Sequence, residues 1–331
     1  MADVIRTLSL AKRGIRNYFT KRPLTISFEV THSCNANCKH CHLGGYIKDE
    51  KLASPERFGE LCQELQPVVA QLSGGEPLIR KDLEQIIKYM RRPNRAPYIV
   101  ITTNGIMLNK KRYESLREAG VDQFSVSLDY PDERHDDFRG SKGLFHRIEK
   151  LVKELNTLNG TAITLLCVVQ RDNFRDLIKI AELAKNWGVR LNFSTYTWLR
   201  TNDKNYVLTR EDIEEFREIV KQLLALRNKY KNFFASEYTF NRMIQFFEDG
   251  GIPNCKTGEK FFNINPDGTF SPCGLIITRH KTSQELNDKF SKINTCTACY
   301  TSIRSNCEKP IKYLIVDSLA LYNRFIIEGL I

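Results

Sequence analysis

No run of this sequence approaches the roughly 18 consecutive apolar residues needed to span a bilayer, and its N-terminal region lacks the apolar core and small-residue cleavage site of a secretory signal. These two absences lead us to expect a cytoplasmic protein, a compartment in which thiols stay reduced and a disulfide framework does not form. There is no internal repeat of fixed period and no low-complexity tract, which argues against solenoid and fibrous architectures. No nucleic-acid-binding module is recognisable, and the basic residues are spread rather than clustered, so an RNA-directed role has only the net charge in its favour.

The chain has 331 residues, enough for one barrel-sized domain and a smaller appendage, and its 41% hydrophobic and 27% charged residues are ordinary globular values. A formal net charge of +11 points to an anionic partner (nucleic acid, a lipid headgroup surface or a phosphorylated substrate), or simply to a basic solvated surface. Ten cysteines in a reducing compartment read as metal ligands before they read as disulfides. Eight of them fall in two short regions, 34–41 and 255–307.

Short β-rich runs alternate with helical-period segments from residue 24 to about 197, the pattern of a parallel α/β fold. Strands are predicted at Leu24 to Val30, Pro67 to Ser73, Pro97 to Thr103, Asp122 to Leu128, Ala162 to Val169 and Arg190 to Tyr196. Ser54 and Pro55 read as the N-cap and first turn of a helix, and Leu177 to Trp187 as a helix ended by Gly188. Six βα units predict a partial (β/α)6 TIM-like barrel, with reacting groups at the C-terminal ends of the strands. A long helix is expected from Leu208 to Lys229 and another over 235–249. A hairpin signature follows, Phe261 to Ile264, the turn Asn265 to Gly268, then Thr269 to Pro272. The expected division is an N-terminal amphipathic basic helix (1–23), the barrel (24–230), a small hairpin-containing Fe-S domain (231–310) and a C-terminal apolar helix (311–331).

Cys34, Cys38 and Cys41 directly follow the first predicted strand, so one loop at the barrel mouth carries three thiols. A cubane iron-sulfur cluster needs thiolates gathered on one side of it, and the missing fourth ligand leaves one iron open to a substrate. A structural zinc site is the alternative, with His32, His40 or His42 as fourth ligand. Glu76, in Ser73-Gly74-Gly75-Glu76-Pro77, offers a carboxylate to an ammonium group, and the paired glycines let backbone approach a ligand.

With these residues the sequence resembles the radical S-adenosylmethionine (SAM) superfamily, in the branch that carries a SPASM or twitch domain, over about residues 24 to 307. The resemblance implies a [4Fe-4S] cluster on Cys34, Cys38 and Cys41 that binds and reductively cleaves SAM. The resulting 5′-deoxyadenosyl radical would abstract hydrogen from substrate, with a flavodoxin- or ferredoxin-like electron donor. It also implies SAM contacts from Gly74, Gly75 and Glu76, from Thr103 and Asn104 in a TTNG element, and from Ser127 and Asp129 after the fourth strand. Gln170 and Asn173 read either as facing SAM or as surface polar residues, and Arg139 either as pairing an anion or as a solvated arginine.

Cys255, Gly268 and Cys273 fit the Cx(9–15)Gx4C opening of SPASM and twitch domains, followed by Cys296, Cys299 and Cys307. Five candidates for four positions imply one auxiliary [4Fe-4S] cluster, read as held by Cys255, Cys273, Cys296 and Cys299 with Cys307 as a substitute ligand or a protector of an open iron. Zinc is the alternative at this second site. Cys62 and Cys167 read as buried small hydrophobes.

Residues 3–20 place Val4, Leu8, Ala11, Ile15, Tyr18 and Phe19 on one arc with Arg6, Arg13 and Arg16 mostly opposite. Such a helix either lies on an anionic membrane surface or packs across the bottom of its own barrel. Residues 311–331 are apolar over most of their circumference, for burial in the protein, a dimer or a membrane interface. The substrate is unidentified: a membrane lipid or isoprenoid and a peptide lead, although some 23 residues before the first strand are too few for a fused peptide-recognition domain. A non-catalytic iron-sulfur or zinc module and an RNA-modifying enzyme are the competing classes.

Overall fold

The computed structural model describes residues 2–91, 96–156, 162–233 and 235–314. Its core is one mixed sheet of eight strands in the order β6-β5-β4-β3-β2-β1-β7-β8. Strands β1 (Thr25–Thr31), β2 (Val69–Gly74), β3 (Tyr98–Thr103), β4 (Gln123–Ser127), β5 (Ile163–Val169) and β6 (Arg190–Thr195) are parallel sequential neighbours. Helices connect them, as the alternating pattern requires, and the barrel is partial.

The first unit shows why these residues take these forms. In β1, Ile26, Phe28 and Val30 are fully buried in the apolar core, while Ser27 and Glu29 on the other face line a cavity inside the barrel. Period-two alternation therefore makes one strand both a core element and a polar wall. Helix α2 (Pro55–Leu65) starts where Ser54 accepts the Arg57 N–H at 3.3 Å, with Pro55 in the first turn. It buries Phe58, Leu61, Cys62 and Leu65, an i, i+3, i+4, i+7 stripe, and Phe58 meets Phe28 edge to face at 6.2 Å. Truncating either ring to alanine would cost about 3–5 kcal/mol.

Helices α3 (Leu83–Met90), α4 (Lys110–Ala119), α5 (Arg134–Arg139), α6 (Leu144–Asn156), α7 (Leu177–Asn186), α8 (Ile213–Tyr230) and α9 (Glu237–Asp249) follow in order. A reciprocal capping box of Thr209 and Asp212 opens the turn leading into α8. The hairpin is present as β7 (Phe261–Ile264) and β8 (Phe270–Ser271), but it does not stand apart. β7 pairs in parallel with β1, Thr25 against Phe261 through Phe28 against Ile264, so the second cysteine region is stitched to the barrel's first strand. Short helices α10 (Ser283–Lys289) and α11 (Ser302–Glu308) complete the described chain.

Helix α1 (Ala2–Phe19) crosses the N-terminal ends of the strands with its polar side inward. Arg6 pairs with Asp122 at 2.6 Å, Arg13 donates to the Pro67 carbonyl at 3.2 Å, and Asn17 donates to the Pro23 and Gln66 carbonyls at 2.7 and 2.9 Å. The apolar residues Leu8, Ile15 and Phe19 face outward. Amphipathicity located the two faces, and the polar rim of the barrel bottom selected the charged one. The apolar helix expected over 311–331 lies, from residue 315 on, outside the described residues.

Candidate functional site

The loop after β1 is fastened on all sides. Cys34 N–H donates to the Gly45 carbonyl at 2.8 Å, Cys41 N–H to the Cys38 carbonyl at 3.1 Å, and Lys39 N–H to the Phe138 carbonyl at 3.0 Å on α5. Glu50 closes the loop on its own start by accepting from Thr31 Oγ1, the His32 N–H and Ser33 Oγ. No local pattern marks Glu50, whose partners lie 17 to 19 positions away.

Gly74 and Gly75 press against the same loop. A Cβ on Gly74 would overlap the Thr31 carbonyl, and one on Gly75 the Ser33 and His32 carbonyls; Gly74 also sits at φ +127°. Backbone bonds from Gly75 to Thr31 (2.8 Å) and Glu76 to Ser33 (2.9 Å) use that closeness. The pair therefore serves loop–strand contact as well as any ligand.

The three sulfurs of this loop each meet nitrogen donors. Cys34 Sγ lies 3.5 Å from the Ala36 N–H and 3.9 Å from Asn104 Nδ2, Cys38 Sγ 3.7 Å from Arg139 Nη1, and Cys41 Sγ 3.4 Å from Arg200 Nη1. Burial pushes the Cys34 and Cys38 thiols up, and the Arg139 guanidinium opposes that at Cys38. Thiols gathered on one loop, with a guanidinium on two of them, are a donor set suited to anionic ligation, so the residues fit a cluster. All ten cysteines are free thiols. Among the described residues no group of three or more His, Cys, Asp or Glu is gathered around a point that a single metal ion would occupy. His32 is engaged with Glu29 at 2.6 Å, and the His40 ring stacks on Phe138 at 4.9 Å, its pKa brought down to about 3 by burial.

Glu76 is fully buried. Its carboxylate accepts from the Leu78 N–H (3.1 Å), Thr103 Oγ1 (2.7 Å) and the Asn104 N–H (2.8 Å), so the second and third strand ends meet on one side chain. Burial raises its pKa to about 7 against those three donors. Asp129 is equally buried and is bound to Arg139 Nε at 2.7 Å and to the Val168 N–H at 3.0 Å. Burial works against its ionisation, but Arg139 with His40 and His135 outweighs it and holds the carboxyl below its usual value. Ser127 is buried at the end of β4, two residues before Asp129.

Two readings left open by the sequence are decided by burial. Arg139 is a bridge from Asp129 to Cys38 rather than a solvated surface group. Gln170 and Asn173 are fully buried rather than superficial. Asn173 Nδ2 donates to the Asp129 and Val168 carbonyls at 2.9 Å each, and Gln170 Nε2 to Tyr130 Oη at 3.1 Å, leaving Gln170 Oε1 a buried acceptor without a described protein donor.

The second cysteine set surrounds a cavity of about 220 Å³. Cys255, Cys273, Cys296 and Cys299 line it together with Ser27, Glu29, Gln71 and Ser73 from the barrel interior. Burial pushes the Cys255, Cys273 and Cys299 thiols up to about 12, outweighing the Arg304 guanidinium that opposes it at Cys255 and Cys299. Cys307 is absent from this cavity; it is buried on α11 with its thiol bonded to Thr25. Cys62 and Cys167 are buried, away from both sets.

Two arginines brace this region, and nothing in the sequence around either marks it out. Arg200 Nε donates to the Gly274 carbonyl at 2.7 Å while Nη1 reaches Cys41, so one side chain spans the first cysteine loop and the residue after Cys273. Arg304 is fully buried and donates to the carbonyls of Cys299 (2.8 Å), Ile252 and Pro253 (2.9 Å each) and to Glu308 (2.9 Å), tying together the segments that carry Cys255 and Cys299.

A family model described as the Radical SAM superfamily matches residues 28–184, which carry the cysteine loop and the strand-end residues through Asn173. An AdoMet-dependent heme synthase of Oleidesulfovibrio alaskensis is 27% identical over 274 residues, covering 76% of this chain and 69% of that protein. The antilisterial bacteriocin subtilosin biosynthesis protein AlbA of Bacillus subtilis is 25% identical over 282 residues, covering 82% of this chain and 59% of that protein, so the chain spans less than two thirds of AlbA. Among solved structures, SuiB of Streptococcus suis bound to the precursor peptide SuiA superposes with a TM-score of 0.64 at 16% identity, covering 86% of this chain and 68% of SuiB; this likeness concerns the fold.

Proposed function

We propose, from the premise that this chain belongs to the radical SAM superfamily through residues 28–184, that it reductively cleaves SAM and abstracts a hydrogen atom from a substrate seated between its two cysteine sets. Membership makes it an enzyme that uses a [4Fe-4S] cluster and SAM and needs a reductant and a substrate. Cys34, Cys38 and Cys41 hold the SAM-binding cluster, and the cluster with SAM supplies the radical that takes the hydrogen. Glu76, braced by Thr103 and Asn104, accepts the amino group of SAM. Asp129, fixed by Arg139 and the Val168 amide, sets the next strand end against the rest of the ligand, with Ser127 and the acceptor of Gln170 beside it. Gly74 and Gly75 keep the loop close enough for these groups to face one ligand.

One observation carries the substrate side: four cysteines and the polar inner faces of β1 and β2 line the same cavity. We assign Cys255, Cys273, Cys296 and Cys299 to one auxiliary [4Fe-4S] cluster, within a unit of residues 231–310 joined to the barrel of 24–230 through the β1–β7 pairing. At about 220 Å³ the cavity lies below the usual 300–1,000 Å³ of small-molecule sites. A cubane on the four thiolates would take up much of that space, leaving a substrate to lie beside it against the polar faces of β1 and β2. The name of AlbA and the precursor peptide bound to SuiB support a peptide, which is the substrate class we favour.

Iron counting on anaerobically reconstituted protein tests the assignment. The expected result is about eight irons per chain, two cubanes, falling to about four in Cys273→Ala and remaining at about eight in Cys307→Ala. Four irons in the unsubstituted chain, or loss of a whole cluster on removing Cys307, would overturn it.

A further inference from the structure

Helix α1 is mounted the unusual way round. At 100° per residue Leu8, Ile15 and Phe19 fall within an arc of about 40°, and Arg6, Arg13 and Asn17 within a similar arc on the opposite side. The polar arc is used up against the barrel bottom, on Asp122 and the carbonyls of Pro23, Gln66 and Pro67. The apolar arc is left outside, with Leu8 64%, Ile15 61% and Phe19 70% exposed. Water-facing apolar residues are common singly, but three stacked along one face of one helix are a feature to be explained.

Charge says what covers them. Lys12 and Arg16 flank the stripe, Lys21 and Arg22 continue it just past the helix end, and all four are exposed. The helix itself carries four bases against the single acid Asp3. An apolar stripe edged by basic side chains, lying flat, is the composition of a helix that sits in the headgroup layer of an anionic bilayer. The patch amounts to a few hundred square ångströms at most, well short of the roughly 800 Å² per partner that a stable dimer buries. Among the described residues no helix is long and apolar enough to cross a membrane, so the contact would be peripheral.

We infer that α1 is an in-plane anchor that seats the bottom of the barrel on an anionic lipid surface. The helix, about 27 Å long, runs beneath the strands from the β4 end at Asp122, past Pro67 before β2, to the β1 end at Pro23. The cysteine loop leaves the far end of β1, about 20 Å away along the strand. The anchored enzyme therefore opens its mouth away from the lipid: the surface holds the protein in place, and a lipid substrate would have to leave the bilayer to reach the cavity. This inference stands on α1 alone and is independent of the cluster assignments.

The test is co-sedimentation of the full-length, iron-reconstituted chain with vesicles of phosphatidylcholine alone or with about one third phosphatidylglycerol. The chain should sediment with the anionic vesicles only and be released as salt is raised to about 0.5 M. Both Ile15→Glu/Phe19→Glu and Lys12→Glu/Arg16→Glu should lower its partition coefficient at least ten-fold while keeping wild-type iron content. Failure to sediment with anionic vesicles, or sedimentation indifferent to both variants, overturns the inference. So does a lipid-free change in Ile15→Glu/Phe19→Glu. A halved molecular mass would mean that a second copy covers the stripe, and a Tm lowered by several degrees that the chain's own residues 315–331 do.

Discussion

Glu76→Gln isolates the electrostatic part of ligand binding. Burial raises the pKa of this carboxyl to about 7 against an ordinary 4.5, despite three hydrogen-bond donors and the charge of Arg139. A ligand amino group that needs the carboxylate must bind the ionised form and, below the pKa, displace a proton. With a pKa of about 7, roughly nine-tenths of the sites are ionised at pH 8 and one-tenth at pH 6. SAM affinity should therefore fall about ten-fold between those pH values. The sign follows from the direction of the shift: a raised pKa makes the proton a competitor, so binding weakens as pH falls. Glutamine keeps the shape but not the charge, and should lower affinity at pH 8 by about 1.5–3 kcal/mol, ten-fold or more, while flattening the pH dependence. Equilibrium binding to reconstituted, anaerobic protein measures both effects, with equal iron content as the control for folding. Wild-type affinity that is the same at pH 6 and pH 8, or a glutamine variant that binds as tightly as wild type at pH 8, would rule out a carboxylate–ammonium contact at Glu76.

Arg200→Met removes a positive charge 3.4 Å from Cys41 Sγ. For a cluster about 6 Å from that charge at an effective dielectric near 20, the loss amounts to about 3 kcal/mol, which should lower the reduction potential by about 100 mV; redox titration followed by EPR reads the shift. Gly75→Ala forces a methyl into the Ser33 and His32 carbonyls, backbone atoms held by the Glu50 clamp. It should lose the irons of the first cluster while keeping those of the second, which iron analysis and the EPR of the remaining cluster would report.

The barrel is readable in the sequence because its strands are buried on at least one face and turn residues punctuate the chain between elements: Gly74 ends β2, Asn104 follows β3, and Gly120 and Gly188 close the helices before β4 and β6. β3, β5 and β6 begin or end within a residue or so of their predicted bounds. The cysteine loop and Glu76 were legible for the same local reason: several chemical groups fall within a few residues of a strand end. What escaped was long-range. β7 is four residues long, and nothing in Phe261 to Ile264 says that its partner is β1, more than 230 positions earlier. Arg200 and Arg304 are two among 50 lysines and arginines, and their roles depend on carbonyls and sulfurs that only the fold brings near. Helix α1 shows a subtler limit: periodicity gives a face its character but not its neighbour, and here Asp122 and three bare carbonyls drew in the arginines and the asparagine.

On the proposed reading, three thiolates on the β1 loop leave one iron free for SAM. EPR of the dithionite-reduced protein, with and without SAM, tests it most directly, run in parallel with a search for 5′-deoxyadenosine. The expected result is a SAM-induced change in the signal and formation of 5′-deoxyadenosine, both abolished in Cys38→Ala with the auxiliary cluster retained. A signal indifferent to SAM, or a Cys38→Ala variant indistinguishable from wild type, would contradict it.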